Sequence, residues 1–385
     1  MAIVGFILLI GACVGHVAIM AYSLNWWYGN PLPHRLLSVI RLIHGAVVAA
    51  MPIGLVFAYG WDATRAVSFA TPLSARDLVS GYVVVCWLVA FGLVPMITVG
   101  RLRYRPAALA HNHTETIDVA ARLGYKPIGR GKYRHLGRLP GNEIFQVDFA
   151  EKTIHLPNLP PGWDGLSILH LTDLHLCGTP DREFYREVMD RCREWDPDLL
   201  ALTGDVVDSA KHHRWVLPLL GRLRWRIGAL AIIGNHDMWW EPHLVRRRLR
   251  RLGIQTVSNS WKQIDVRGEP MVVVGTEWPW TRPAPDLNGL PEGVFRLCLS
   301  HTPDNMPWAR RNRMNLVLAG HNHGGQIRFP VIGSVLVPSR FSRRYDCGIF
   351  EERGTVLHVC RGVAGQHPLR YGCRPEVAKI VLRRA

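Results

Sequence analysis

The chain has 385 residues, with 46 Lys and Arg against 30 Asp and Glu, and 48% of it is hydrophobic. That apolar content excludes an intrinsically disordered chain, and 36 Gly and 26 Pro without a period exclude a collagen-like one. A net charge of +16 on a chain only 20% charged points to apolar segments beside a basic soluble part, with a membrane surface, a nucleic acid or an acidic substrate as partner.

The apolar excess lies before residue 101. Residues 2–22, 42–60 and 78–100 contain no Asp, Glu, Lys or Arg, and each approaches the ~20 residues that a helix needs to cross a bilayer. Buried core helices seldom lack every charge for so long. Three spans, rather than a cleaved signal peptide, are expected. The first connection holds Arg35 and Arg41. In the second, Arg65 and Arg76 are cancelled by Asp62 and Asp77, and Arg101, Arg103 and Arg105 follow the third run. Basic flanks face the cytoplasm. The expected protein is therefore integral to the membrane, with its amino terminus outside and its C-terminal part in the cytoplasm. Residues 101–150 read as a basic juxtamembrane linker, apt for anionic headgroups.

From about residue 165, short apolar runs alternate with amphipathic stretches. Runs at 166–171, 199–202, 229–233, 271–274, 295–299, 316–318, 355–359 and 377–382 read as strands, and 182–195 as a helix. This is an α/β pattern with a strand-rich second half. Eight cysteines without a CxxC pair fit a reducing compartment.

Polar residues recur just behind the apolar strands, where sites assemble in open α/β sheets. They are Asp173-Leu174-His175, Gly204-Asp205-Val206-Val207-Asp208, Gly234-Asn235-His236-Asp237, Ser300-His301 and Gly320-His321-Asn322-His323. Residues two apart on an extended chain point the same way, so Asp173 and His175 can share one ion. The donors Asp173, His175, Asp205, Asn235, His301, His321 and His323 are oxygen and nitrogen, without thiolate. That set suits Mn, Fe, Zn or Ni. It is too large for one tetrahedral zinc and about right for two divalent ions sharing a carboxylate.

This series resembles the calcineurin-like metallophosphoesterase superfamily over roughly residues 150–385. The stretch 320–330, with Pro368-Leu369-Arg370 and Cys373-Arg374-Pro375-Glu376, is similar to its YkuE/YaeI-like branch. The resemblance implies a catalytic domain over 151–385, a two-sheet β-sandwich flanked by helices with two metals at one edge. It implies that Asp173, His175 and His323 bind the first metal, that Asp205 bridges, and that Asn235, His301 and His321 complete the second. It gives His236 the task of protonating the leaving oxygen or stabilising the transition state. Asp208 is expected to orient His236, and Asp237 to cap the following helix.

Aromatic and basic residues bear on the substrate. Trp239 and Trp240 follow the His236 motif, and Trp278 and Trp280 follow another strand. Trp favours membrane–water boundaries and can guide an acyl chain. Arg328 and Arg370 are candidate phosphate contacts through the guanidinium fork. The arginines at 246–251 offer a face for anionic lipid. The expected activity is hydrolysis of a phosphodiester or pyrophosphate in a lipid-linked substrate, of glycerophospholipid or UDP-diacylglucosamine type. Tethered hydrolysis of cyclic nucleotides or nucleic acid ranks below it, because a tethered enzyme meets lipid first. A non-catalytic, metal-stabilised membrane scaffold is the reading from another class. The intact His236 weighs against it.

Overall fold

The computed structural model describes residues 2–61 and 75–385. Asp62 and Arg65 of the second connection lie outside the described residues. The chain divides into two compact units. One comprises residues 1–104 and 329–342, the other 105–328 and 343–385.

The first unit is helical. α1 (Ala2–Tyr28) and α2 (His34–Tyr59) are each continuous. The third span runs through α3 (Ala75–Trp87), a π-helical turn at Leu88–Leu93, and α4 (Val94–Arg103). Pro95, at the start of α4, has no N–H for the regular ladder, and the Val94 N–H reaches back to the Val89 carbonyl instead. All three segments are long and apolar enough to cross a membrane. Their few polar side chains pair with one another: His16 Nδ1 lies 2.6 Å from Tyr82 Oη, His44 Nε2 lies 3.1 Å from Ser23 Oγ, and Tyr59 Oη lies 2.8 Å from Ser80 Oγ.

The second unit is a two-sheet sandwich. Its strands are β1 (Leu109–Asp118), β2 (Gln146–Leu156), β3 (Ser167–Leu171), β4 (Leu199–Thr203), β5 (Gly228–Ile232), β6 (Gln255–Thr256), β7 (Ser260–Val266), β8 (Glu269–Thr276), β9 (Phe295–Ser300), β10 (Leu316–Ala319), β13 (Gly348–Glu352), β14 (Thr355–Val359) and β15 (Glu376–Arg384); β11 (Arg328–Phe329) falls at the boundary, and β12 (Gly333–Ser334) belongs to the first unit. One sheet has the order β1-β2-β15-β3-β4-β5-β6 and the other β13-β14-β10-β9-β8-β7, while β11 and β12 form a short ribbon.

Alternation sorts the side chains into layers. Ile168, Leu199, Ala201, Leu230 and Ile232 face the second sheet, meeting Val273, Leu297, Leu299, Leu316 and Leu318. Leu169, Leu171, Leu200, Leu202 and Ala231 face helices, meeting Phe184, Val188, Leu219, Val245 and Leu249. Covered on both faces, β3 to β5 read as nearly unbroken apolar runs. Each aliphatic side chain so buried contributes roughly 1.5–3 kcal/mol.

The interrupting His170 also faces the second sheet. Lys152 Nζ donates to His358 Nε2 at 3.1 Å, His358 and His170 meet through their Nδ1 atoms at 2.8 Å, and His170 Nε2 lies 2.9 Å from Thr203 Oγ1. One assignment satisfies every atom: each ring donates toward Thr203 and accepts from the Lys152 side. Lys152 also pairs with buried Glu376.

Two expectations are corrected. Residues 105–150 are no free linker, because β1 pairs along its length with β2, and β2 runs parallel to β15. The interior positions of β1 are exposed, so an edge strand there carries no apolar alternation to announce it. And 329–342, inside the stretch expected to be purely catalytic, groups with the membrane helices.

Candidate active site

β3, β4 and β5 run parallel in one sheet, and β9 and β10 run parallel in the other. Their C-terminal ends deliver all five polar motifs to one edge. Asp173, His175 and His323 present ligand atoms within 4.8 Å of one another, and so do Asp205, His301 and His321. Asn235 Oδ1 lies 3.1 Å from His301 Nε2 and joins the second group.

The backbone is bent to achieve this. Asp173, His175, Asp205, His321 and His323 all have positive φ, between 42° and 68°. Side chains other than Gly seldom adopt that region, and such strain persists only where surrounding structure enforces it. Glycine makes room beside them. A Cβ on Gly234 would strike Asp205 and His301, and one on Gly320 would strike Thr172 and Asp173.

Hydrogen bonds orient the donors. Thr172 Oγ1 (2.7 Å) and the His321 N–H (3.0 Å) hold Asp173 Oδ2, so Oδ1 faces His175 and His323. The Thr203 carbonyl takes the Nδ1–H of His301 at 2.7 Å and turns its Nε2 inward. Asp208 accepts from His175 Nδ1 at 3.1 Å and from His236 Nδ1 at 2.7 Å, one through each oxygen. The sequence pairs Asp208 with His236, and the structure adds His175. Asp237 does more than cap a helix: it accepts the N–H groups of Val206, Val207 and Gly234, tying two motif loops together.

Asp205 is central. Its Oδ1 accepts the His236 N–H at 2.9 Å. Its Oδ2 lies 3.4 Å from His175 Nε2 and 3.3 Å from His301 Nε2, one from each group. That oxygen is buried and accepts no hydrogen bond, and the Nε2 of buried His321 has no partner either. Orphaned buried acceptors are costly. A divalent cation is the partner such atoms fit. The titration behaviour agrees. Burial opposes ionisation of Asp173 and Asp205, yet nearby histidines hold both carboxyls well below the usual range. Burial pulls His301 down, but Asp205 and Asp173 raise it to about 9, whereas burial and neighbouring His301 push His321 down to about 3. The two carboxylates thus draw protons onto His175 and His301, positive charge that cations in the same place would replace.

The flanking residues divide. Trp239 stacks against His236 with ring centroids 4.5 Å apart and is half exposed, and Trp240 beside it is also exposed. Trp280 packs on His321 (4.8 Å) and His301 (5.5 Å). The two candidate phosphate arginines are engaged in bracing. Arg370 is fully buried and donates to the carbonyls of His323 (2.9 Å), Arg361 (2.9 Å) and Ala364 (2.6 Å). Arg328 pairs with buried Asp346 at 2.6 Å and donates to the Gly324 carbonyl at 3.1 Å. Both guanidinium groups lash down the loop that carries His323. Thr172, Thr203 and Asp237 complete the support. Of these, only Asp237 carried a signal, its place inside the Gly234-Asn235-His236-Asp237 run.

The profile of the Calcineurin-like phosphoesterase family matches residues 166–325. Over 250 residues the chain is 30% identical to the Uncharacterized metallophosphoesterase YkuE of Bacillus subtilis (strain 168), covering 63% of this chain and 87% of that protein. It is 33% identical over 222 residues to the Phosphodiesterase YaeI of Escherichia coli (strain K12), covering 56% and 81%. The chain belongs to the calcineurin-like metallophosphoesterases. It is a phosphoric ester hydrolase. A Transmembrane protein with metallophosphoesterase domain from Danio rerio is 27% identical over 260 residues, covering 60% of this chain and 56% of that protein.

Proposed function

We propose that this metallophosphoesterase is a membrane-anchored, dinuclear phosphodiesterase or pyrophosphatase acting on a lipid-linked substrate, with its catalytic unit in the cytoplasm. The observation that carries the dinuclear assignment is Asp205 Oδ2, which faces both ligand groups without accepting a hydrogen bond. Asp173, His175 and His323 would hold one ion, Asn235, His301 and His321 the other, and Asp205 would serve both. Bound there, divalent ions supply the Lewis acidity that activates water and neutralises phosphoryl oxygens.

The protein's own groups do the rest. Asp208 holds His236 by Nδ1, which leaves Nε2 to deliver a proton to the departing oxygen. The same carboxylate fixes the tautomer of His175, so that its Nε2 faces Asp173 and Asp205. Trp239, against His236, and Trp240 offer apolar surface where an acyl chain would approach. Three helices long and apolar enough to span a membrane support a place among lipids. Arg101 and Arg103, ending the third span, favour a cytoplasmic catalytic unit.

The test is a hydrolysis screen of the full-length, Mn-loaded protein in lipid nanodiscs. Lipid phosphodiesters and lipid pyrophosphates are compared with cyclic nucleotides and bis-p-nitrophenyl phosphate. Turnover of a lipid substrate above the soluble esters is expected. Activity confined to soluble esters would reject the lipid assignment and leave the metal chemistry standing. Two equivalents of tightly held metal are expected in a fully active preparation, and one would reject the dinuclear centre.

A further inference from the structure

One buried polar side chain of the spanning helices reaches a segment far along the chain. Asn25 lies near the end of α1, and it is almost completely buried. Its Nδ2 donates to the Val335 carbonyl and to Ser342 Oγ, both at 2.9 Å, and its Oδ1 accepts the Val337 N–H at 2.8 Å. A single amide thus ties residues 335–342 to the end of the first span. One turn further on, Gly29 lies against the backbone of Ser339 and Arg340, where a Cβ would collide. Asn25 and Gly29 bracket Trp26 and Trp27, whose rings sit edge to face 5.0 Å apart. Adjacent tryptophans at the end of an apolar span mark the membrane–water boundary.

The tied segment is itself apolar on its outer side. Val331 is 68% exposed and Leu336 54%, with Phe329 and Ile332 also open, while Gly333, Ser334 and Val337 are buried. A soluble loop held by backbone bonds has no need of four large exposed hydrophobic side chains within eight residues. Such a cluster marks an interaction surface. Its place beside the tryptophans selects the occupant, because whatever surrounds that end of α1 also surrounds the segment.

We propose that residues 329–342 form an interfacial strap whose side chains Phe329, Val331, Ile332 and Leu336 seat in the lipid bilayer at the level of Trp26 and Trp27. The strap begins six residues after His323, a span of at most ~20 Å of extended chain. Arg328, the residue before it, braces the His323 loop through the Gly324 carbonyl. This inference rests on the membrane placement of the spanning helices and not on the identity of the substrate.

The test uses full-length protein in nanodiscs of phosphatidylcholine and phosphatidylglycerol. A polarity-sensitive fluorophore is attached to Val331→Cys and, separately, to Leu336→Cys. Glu269→Cys, exposed in the catalytic unit, is the aqueous reference, and unsubstituted protein treated identically supplies the blank for native cysteines. Blue-shifted emission at 331 and 336 is expected, with quenching by doxyl-labelled lipid and several-fold weaker quenching by iodide than at 269. Iodide quenching equal to that at 269 would overturn the strap. Protection from iodide without quenching by doxyl lipid would overturn it too, since a protein surface would then cover the patch. If one cysteine variant fails to accumulate, the other reports on the same surface. No step requires hydrolysis, so the outcome is separable from the substrate screen.

Discussion

The spanning helices and the sheet edge of the catalytic unit treat buried polar groups in opposite ways. Among the described residues of the three spanning helices, every buried side-chain nitrogen or oxygen has a partner, as in the pairs His16–Tyr82 and Tyr59–Ser80 and the bonds from Asn25 to the strap. At the sheet edge of the catalytic unit, Asp205 Oδ2 and His321 Nε2 have none. In hydrocarbon an unsatisfied group is only a cost, so paired polar atoms there serve assembly. At the sheet edge the proposed cations would remove that cost. Satisfied polar groups mark architecture, and orphaned ones beside strained backbone mark chemistry.

The sharpest way to break this contrast is to remove the orphan. Asp205→Asn is expected to abolish two-metal loading and reduce phosphodiester turnover to background. It should also erase the rise in melting temperature that Mn gives the parent, an effect of about 2.7 kcal/mol at a hundredfold excess over Kd. Metal analysis and thermal melts with and without Mn check this. A variant that still bound two ions would show that Asp205 is not shared.

His236→Ala should separate proton delivery from metal binding. Turnover should fall by roughly 10²–10⁴-fold, while metal content stays at the parental level. The loss should shrink for p-nitrophenyl esters, whose leaving group departs without a proton. An equal loss on good and poor leaving groups would assign His236 to charge stabilisation instead.

Asp208→Asn tests a supporting residue. Because Asp208 holds both His175 and His236, its loss should lower metal affinity and turnover together, by about 10–100-fold. A fall in turnover with unchanged affinity would confine Asp208 to His236.

What the sequence shows and what it hides follow one physical line. The residues gathered at the candidate site are legible because each stands directly behind an apolar strand, so the apolar run and the polar break are adjacent in the chain. β1 is hidden because its side chains are exposed along almost its whole length. Arg328 and Arg370 mislead because arginine in a phosphoesterase motif suggests phosphate. Arg370 instead meets the carbonyls of His323, Arg361 and Ala364, and a carbonyl leaves no trace in residue type. The strap is hidden for a similar reason: Asn25 binds it mainly through backbone atoms more than 300 residues away.

The smallest expected effect concerns the buried His170–His358 pair, which is satisfied yet titratable and so tests whether satisfaction means neutrality. Burial holds His170 down to about 3, and burial with nearby Lys152 depresses His358 as well. In the unfolded chain an imidazole titrates near 6.5, so below that pH the unfolded state binds more protons than the folded one. Each histidine therefore withdraws stability as pH falls from about 6.5 toward its folded value, at up to ~1.4 kcal/mol per pH unit, and adds nothing above that window. His170→Gln keeps the geometry, because the amide can accept from His358 and donate to Thr203 Oγ1, but it cannot titrate. Urea unfolding in chelator should give a variant within about 1.5 kcal/mol of the parent at pH 7.5, with a shallower loss between pH 6.5 and 5. Identical slopes would mean that His170 is protonated in the fold and donates to His358 Nδ1 as well as to Thr203 Oγ1.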